Sequence, residues 1–442
     1  MRNLWPTGGL WRHADFLKLW SAESVSQVGS QITGLALPLV AVIVLDVSPF
    51  EVSALVVIEF LPFILFAIPA GVWVDRLRRK PILVIADLGR AVLLGSIPIA
   101  YAFDALYLGQ LYVVGFLVGI CTVFFDVSYQ SYLPSLVARE QLVEGNSKLE
   151  VSRAGAQIGG PGAAGGLVSA IGAPAAIVLD ALSFVVSAVF LFTIRKPEVL
   201  PVREEGAPKP SMLAEAKEGL RYVLGNRYLR AISICTATSN FFWSLSGAIL
   251  IVYAVRELHM SPALIGIVFS VANAGPLLAA LTTNKVFARI GVGRTILVTS
   301  VMFSCAAFFF PLAPQDSPAP FFIAGGILGG YGAVAYNITQ VSFRQAITPE
   351  RLQGRMNSVM RFIVWGVIPI GTLLGGAIAS TIDLRAAIWI GAIGNALAFL
   401  PVLLSPVRTL REMPEPFVEL LPSQAAAAGG ELAPTHPVRE EV

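Results

Sequence analysis

Nine charged side chains interrupt long apolar runs: Glu23, Glu59, Asp87, Arg90, Asp126, Glu150, Arg153, Asp180 and Arg361. A charge inside such a run is costly, so these residues default to ion pathways, proton relays or paired locks. Asp87 and Arg90 are three apart and share one helical face. Just before them the segment GVWVDRLRRK at 71–80 sets a glycine one helical turn ahead of an acid–base pair. Gly71 would let another helix approach closely. Asp75 can accept from the exposed N–H groups of a neighbouring helix start, where the dipole favours an anion. Arg76, Arg78, Arg79 and Lys80 also have a plainer reading, as the basic loop that fixes membrane topology.

Other chemistries find little support. The three histidines, His13, His259 and His436, lie outside the apolar runs. Cys121, Cys235 and Cys305 lie within them and form no CxxC pair. No P-loop or metal-ligand spacing occurs, so no enzyme, no ATP-driven pump, no metal and no cofactor is expected. The net charge of +3 is small, and no nucleic-acid partner is expected.

The elements that must position these residues follow from composition. The chain is 55% apolar and 13% charged, against about 25% charge in soluble domains. Its mean hydropathy is +0.73. Lipid is therefore its solvent. Apolar segments at about 16–45, 52–74, 81–103, 106–133, 144–171 and 174–194 predict six helices. Charge-free windows at 231–255, 260–284, 295–315, 317–343, 362–382 and 386–407 predict six more. Each is at least the ~20 residues that a span needs. The expected fold is an all-α membrane protein of twelve transmembrane helices in two six-helix halves, 1–194 and 230–410. A hydrophilic linker at 195–229, with a short surface helix near 211–224, joins them. A disordered tail follows at 411–442. The first apolar run is too long for a secretory signal.

Positive charge orients the bundle. With the N-terminus in the cytoplasm, the inner segments hold Arg76, Arg78, Arg79, Lys80, Arg139, Lys148 and eight Lys/Arg between Arg195 and Arg230. They also hold Lys285, Arg289, Arg294, Arg344, Arg351 and Arg355. Only Arg256 and Arg385 remain outside. Cytoplasmic N- and C-termini of a multi-pass cell-membrane protein are expected.

A repeat supports two matched halves. Residues 144–166 and 355–377 align with a shift of 211, pairing Asn146 with Asn357, Gly155 with Gly366, Gly160 with Gly371 and Gly165 with Gly376. Ser48-Pro49 before the second helix matches Ser261-Pro262 before the eighth. The glycine-rich helices are read as packing or gating surfaces. Pro161 removes a backbone donor and bends its helix.

GVWVDRLRRK resembles the G-x-x-x-D-R-x-x-R-K signature of the major facilitator superfamily, with Arg78 where glycine is common. LWSAESVSQVGSQITGLALP, FFDVSYQSYLPSLV at 124–137, LDALSFVVSA at 179–188 and TPERLQGRMNSVMRFIVWG at 348–366 resemble its branch of drug and metabolite exporters, which includes macrolide efflux pumps and the enterobactin exporter. GAQIGGPGAAGG resembles the antiporter signature G-P-x-x-G-G. Gly160, Pro161 and Gly165 match, and Ala164 replaces a glycine. The likeness covers about residues 15–410.

The resemblance implies a cavity lined by helices 1, 4, 7 and 10. Their polar and aromatic residues are Gln27, Gln31, Tyr129, Gln130, Asn240, Trp243, Asn337 and Gln340. Amides and aromatics with few charges suit a large, partly apolar small molecule, although such amides also join helices. Depth divides the charged residues. Gly71, Asp75, Arg76, Arg79, Lys80, Asp87, Arg90, Asp126, Glu150, Arg153 and Arg361 fall near the inner face. They are expected to form one ionic gate lock that forms in one state and breaks in another, or else static pairs that lower burial cost. Glu59 and Asp180 fall in the outer third with no basic partner nearby in sequence. Glu59 is the first candidate for proton coupling and Asp180 the second, because the resemblance puts the sixth helix outside the bundle. Glu23 lies near the inner face. The expected function is proton-coupled export of drug-like or natural-product molecules by alternating access. Its partners are the small-molecule substrate, protons and the lipid bilayer, and the protein is expected to be monomeric. A siderophore or biosynthetic-product exporter is the alternative within transport. A non-transporting membrane sensor or scaffold is the alternative from another class.

Overall fold

A computed structural model describes residues 9–74, 77–138, 141–198 and 212–411. Asp75, Arg76, the linker residues 199–211 and the tail from residue 412 lie outside the described residues.

Among the described residues, eleven spans are long and apolar enough to cross a bilayer. The first is α1 (Ala14–Leu39), extended by a π-helical turn at Val40–Val44. Pro38 sits immediately before that turn and removes one helical donor. Next come α2 (Pro49–Val74), α3 (Arg79–Ala102), α4 (Leu108–Leu136) and α6 (Ala173–Phe192). After the short α7 (Met212–Gly225) come α8 (Arg227–Arg256), then α9 (Pro262–Ala272) and α10 (Ala274–Ile290), which break one span at Asn273. The series ends with α11 (Val292–Ala306), α12 (Ala319–Ile347), α13 (Glu350–Thr381), and α14 (Leu384–Ala396) with α15 (Leu400–Leu403). The twelfth member, α5 (Leu142–Ile171), is 30 residues long and packs between α1 and α9. Its many glycines and its charges near Glu144–Arg153 make it the least apolar of the bundle.

Local chemistry sets the helix starts. Ser48 and Glu51 form a reciprocal capping box before α2: the Glu51 carboxylate accepts from Ser48 N at 2.7 Å, and Ser48 Oγ accepts from Glu51 N at 3.3 Å. Asn226 caps α8 by accepting from Tyr228 N at 2.9 Å, so the seventh span begins three residues before the expected boundary. Ser261 caps α9 with Pro262 at its first position. Asp383 caps α14 by accepting from Ala386 N at 2.9 Å.

The buried core has three parts. The largest joins both halves, with Leu35, Val40, Leu55 and Val168 from the first and Ile249, Ile265, Phe322 and Ile388 from the second. It occupies the end of the bundle where α2, α6, α9 and α12 begin, here called the far end. At the opposite, terminal end there are two separate cores. One contains Phe16, Leu83, Phe125 and Leu136 of the first half. The other contains Ile232, Ile296, Phe343 and Met360 of the second. The halves are thus fused at the far end and apart at the terminal end.

Candidate functional site

Two glycine seams close the far end. Along α5 and α9, a Cβ on Gly165 would overlap the Pro262 carbonyl oxygen, and one on Gly266 would overlap the Pro161 carbonyl oxygen. Along α13 and α2, a Cβ on Gly376 would lie 2.6 Å from Ser53 Cβ and 2.9 Å from Phe50 Cα. Gly160 and Gly371, one turn before, meet Gln31 of α1 and Phe241 of α8. The repeat therefore gives equivalent contacts in both halves. Gly155 and Gly366 have open space around them, so these two are not packing positions in this conformation. Gly71 likewise faces open space. Its expected close helix contact is absent here because the halves are apart at that end.

Polar bonds cross the same seams. Gly162 N donates to Ser270 Oγ at 2.7 Å, and Ala263 N donates to Ser169 Oγ at 2.9 Å. Phe50 N donates to Ser380 Oγ at 2.9 Å. Asn273 Nδ2 donates to the Gln157 carbonyl at 2.6 Å. Arg256 pairs with Asp46 at 2.6 Å and donates to the Val47 carbonyl at 2.9 Å.

In this conformation the described residues of the expected ionic gate are divided. Asp87 and Arg90 form a buried ion pair within α3. The guanidinium lies 4.4 Å from the centre of the Phe125 ring on α4 and 4.1 Å from that of Phe184 on α6. Glu23, Asp126 and Asp180 all feel the Arg90 charge, and Asp126 also feels Arg153. Of these acids only Asp87 is ion-paired with Arg90 among the described residues. Arg79 and Lys80 belong elsewhere. Glu198 accepts from Arg79 N at 2.8 Å and pairs with Arg79 Nη1 at 3.5 Å, capping α3. Lys80 Nζ donates to the Ile194 carbonyl at 2.6 Å. Glu150, Arg153 and Arg361 are exposed and form no ion pair among the described residues. Arg361 instead lies over Trp365, 5.4 Å from the ring centre. The physical reason is the separation of the halves: residues early in α5 and α13 face water rather than each other.

The coupling candidates have distinct settings. Glu59 is half-buried beside the Gly115–Gly119 groove of α4, where a Cβ on Gly115 would lie 2.9 Å from Glu59 Cγ. No hydrogen bond or ion pair holds its carboxylate among the described residues. Asp180 is buried in the α1–α6 contact, against Gly29, and accepts from Ser183 Oγ at 3.1 Å. Glu23, also buried, accepts from Gln27 Nε2 at 2.7 Å and leaves Oε2 without a partner among the described residues.

A cavity of about 640 Å³ opens beside α8. Ser239, Asn240 and Trp243 line it together with Phe303, Phe310 and Phe322. Pro161 and Asn273 close it at the α5–α9 seam. Of the eight residues expected to line a cavity, Asn240 and Trp243 do so. The other six do not line this cavity. Gln27 is bonded to Glu23, and Gln31 packs on Gly160. Tyr129 stacks on Phe125 at 6.0 Å, and Gln130 is exposed. Gln340 Nε2 donates to Asn337 Oδ1 at 3.0 Å. Gln27 and Gln340 thus bond to neighbours on their own helices rather than facing this cavity, although Gln340 Oε1 has no partner among the described residues.

Sequence reasoning missed Ser239, Asn273 and Asn395. Asn395 Nδ2 donates to the Phe303 carbonyl at 3.1 Å, while its Oδ1 accepts from Ser239 Oγ at 2.9 Å. It ties α14, α11 and α8 together behind the cavity. The available signal was an asparagine near the middle of each of two apolar runs.

Comparison with known proteins agrees with this architecture. The macrolide efflux protein A of Streptococcus pyogenes is 24% identical over 405 residues, covering 90% of this chain and 97% of that protein. The multidrug efflux pump Tap of Mycolicibacterium fortuitum is 25% identical over 390 residues, covering 85% and 91%. A solved bacterial homologue of the iron transporter ferroportin, in its inward-facing state, superposes with a TM-score of 0.72 at 18% identity, covering 90% of this chain and 99% of that one. The family model described as transmembrane secretion effector matches residues 9–426, so the chain is a multi-helix membrane transporter of the major facilitator superfamily and belongs to that family.

Proposed function

We propose that this transporter exports amphipathic, drug-like or natural-product small molecules by alternating access, in exchange for protons. The observation that carries the reading is the cavity wall: Trp243, Phe303, Phe310 and Phe322 set against the amides of Asn240 and Asn273, with no charged side chain among its lining residues. Such a wall suits an uncharged or weakly charged molecule with an aromatic or apolar body and scattered hydrogen-bond groups. The macrolide and multidrug pumps among its relatives support the same class.

Both termini are proposed to be cytoplasmic, on the distribution of Lys and Arg. The conformation described is then inward-open. Export proceeds when substrate enters from the terminal end, that end closes, and the two glycine seams part. Proton coupling is assigned to the first half, where the intramembrane acids are concentrated. Glu59 is the first candidate, since no partner holds its carboxylate. Glu23 is the second, since it is buried and one of its carboxylate oxygens has no partner among the described residues. Asp180 fits less well, because it is held between α1 and α6.

Everted membrane vesicles test this directly. A fluorescent amphiphile should accumulate when the interior is acid and should stop accumulating when nigericin dissipates ΔpH. Accumulation indifferent to ΔpH would remove proton exchange. No accumulation of any aromatic amphiphile would remove the substrate class. Loss of ΔpH dependence in Glu59→Gln or in Glu23→Gln, with the other variant still coupled, would identify the titrating acid.

A further inference from the structure

The terminal ends of α3 and α6 enclose a second pocket, of about 470 Å³, outside the transport cavity. Among the described residues its rim carries Arg78, Lys80, Arg195 and Lys196 against one lining carboxylate, Glu198, while Asp15, paired with Lys18, accepts from the backbone N–H groups of Arg195 and Lys196 at 3.2 and 3.0 Å. The Glu198 carboxylate is already engaged by the first N–H groups of α3 and by Arg79. Lys80 and Lys196 are pinned by the carbonyls of Ile194 and Leu136, at 2.6 and 3.0 Å, which holds both ammonium groups at the rim. The side chains of Arg78 and Arg195 make no ion pair among the described residues. Among the described residues the cations lining this pocket therefore outnumber its carboxylates.

Its floor is apolar. Val84, Ile85 and Phe192 line it, and Phe192 is 72% exposed. This floor continues along the bundle as a groove of about 520 Å³ between the same two helices. Leu88 and Val92 form its wall on α3, and Leu182 and Val185 form its wall on α6. Ile85, Leu88 and Val92 recur at helical spacing on one exposed stripe. From Lys80 to Val92 the rise is about 18 Å, close to the ~15 Å of one leaflet's hydrocarbon. A topological basic loop needs no pocket, and a site for a free anion needs no apolar floor. This site has both features in register.

We propose that the α3–α6 cleft is a binding site for an anionic phospholipid, with the phosphate held by the Arg78, Lys80, Arg195 and Lys196 rim and one acyl chain laid along Ile85, Leu88 and Val92. The orientation proposed above decides only which leaflet supplies it, the inner one. Two juxtaposed charges at a membrane surface are each worth about a fivefold change in affinity. The site is also separate from the substrate cavity, so its occupancy is independent of the substrate proposal.

The test is native mass spectrometry of the purified full chain equilibrated with equal amounts of phosphatidylglycerol and phosphatidylcholine. One phosphatidylglycerol should be retained in preference. Arg78→Gln combined with Arg195→Gln should weaken retention roughly 25-fold, at about fivefold per charge. Lys285→Gln with Arg289→Gln, in a different basic segment, should leave it unchanged, and size-exclusion profiles should confirm that all forms are folded. Equal retention of the two lipids overturns the proposal, as does unchanged retention in the Arg78/Arg195 variant or equal loss in the Lys285/Arg289 variant. Displacement of the lipid by excess inorganic phosphate would also overturn it, by making the site one for a simple anion.

Discussion

Asn273 donates to the Gln157 carbonyl at 2.6 Å, and that carbonyl is the one Pro161 leaves without its helical donor. The bond crosses between the halves. Asn273 can reach it because α9 and α10 break at that residue, three positions before Pro276. The bend in one half is thus stabilised by a break in the other. In the second seam, the corresponding carbonyl, freed by Pro369, belongs to Trp365, whose ring meets Phe60 of α2 at 6.2 Å. One seam is joined by an amide and the other by an aromatic pair.

Replacing Asn273 with alanine should weaken the closed far end. Gln157 is exposed, so water can take the place of the lost donor. The expected cost is about 1 kcal/mol, or roughly a fivefold shift toward opening of that end. Distances between spin labels on the far ends of α5 and α13 would read the shift. An unchanged distance distribution would mean that the bond contributes nothing to closure. Arg256→Ala should do less than Asn273→Ala, because Asp46 is 87% exposed and exposed ion pairs contribute little.

Alanine at Gly165 and alanine at Gly155 should behave differently, although both glycines lie on one helix. At Gly165 the added methyl overlaps backbone of α9, which cannot rotate away. Overpacking of this kind costs about 1–3 kcal/mol, and here it is charged against the closed seam alone. Transport should fall severalfold or more, while the protein should stay folded. At Gly155 the methyl enters open space, and transport in this conformation should be little affected. Vesicle uptake rates for the two variants, normalised to protein amount, check the pair. Equal losses at both sites would imply a helix-wide effect rather than a local contact.

The Asp87–Arg90 pair predicts a stability phenotype. Arg90→Met leaves Asp87 buried without its partner and removes the cation shared by Glu23, Asp126 and Asp180. Breaking a buried pair in this way costs about 3–5 kcal/mol. The melting temperature in detergent should drop clearly, and expression should fall. Adding Asp87→Asn to Arg90→Met should restore part of the loss, because one unpaired charge is removed. If the double variant is as unstable as the single one, the cost lies with the other three acids.

The degree to which this was legible in the sequence differs by level. Span positions followed from apolar length, since lipid demands continuous helices. The matched seams followed from the shift of 211 between Gly165 and Gly376. The buried pair of Asp87 and Arg90 could be read from helical spacing. The partners of Arg79 and Lys80 could not, because Glu198 and Ile194, which hold them in this conformation, lie more than 110 residues away in sequence. The cavity was only partly legible for a related reason. An amide in an apolar helix satisfies itself on whichever neighbour is nearest, as Gln27 does on Glu23 and Gln340 on Asn337. Spacing within one helix cannot choose that neighbour. Asn395 and Asn273 were passed over because neither has another amide at helical spacing to mark it.

Trp243 offers the sharpest test of the cavity. It is 46% exposed, packs edge-on against Phe310 with ring centres 5.9 Å apart, and lines the cavity with that partner. Trp73 is comparably exposed, at 53%, and stacks on Phe124 at 5.8 Å, but it lies away from the cavity. Both tryptophans thus carry similar aromatic packing, and only one adjoins the proposed substrate. An aromatic contact contributes about 0.5–1.5 kcal/mol beyond area burial. Trp243→Ala should therefore raise the apparent KM for an aromatic amphiphile by about two- to twelvefold, while Trp243→Phe should recover most of the affinity. Trp73→Ala should leave KM unchanged and act, if at all, on protein amount. Initial rates across a substrate series in vesicles separate the two. A KM shift in Trp73→Ala equal to that in Trp243→Ala would place the substrate outside this cavity.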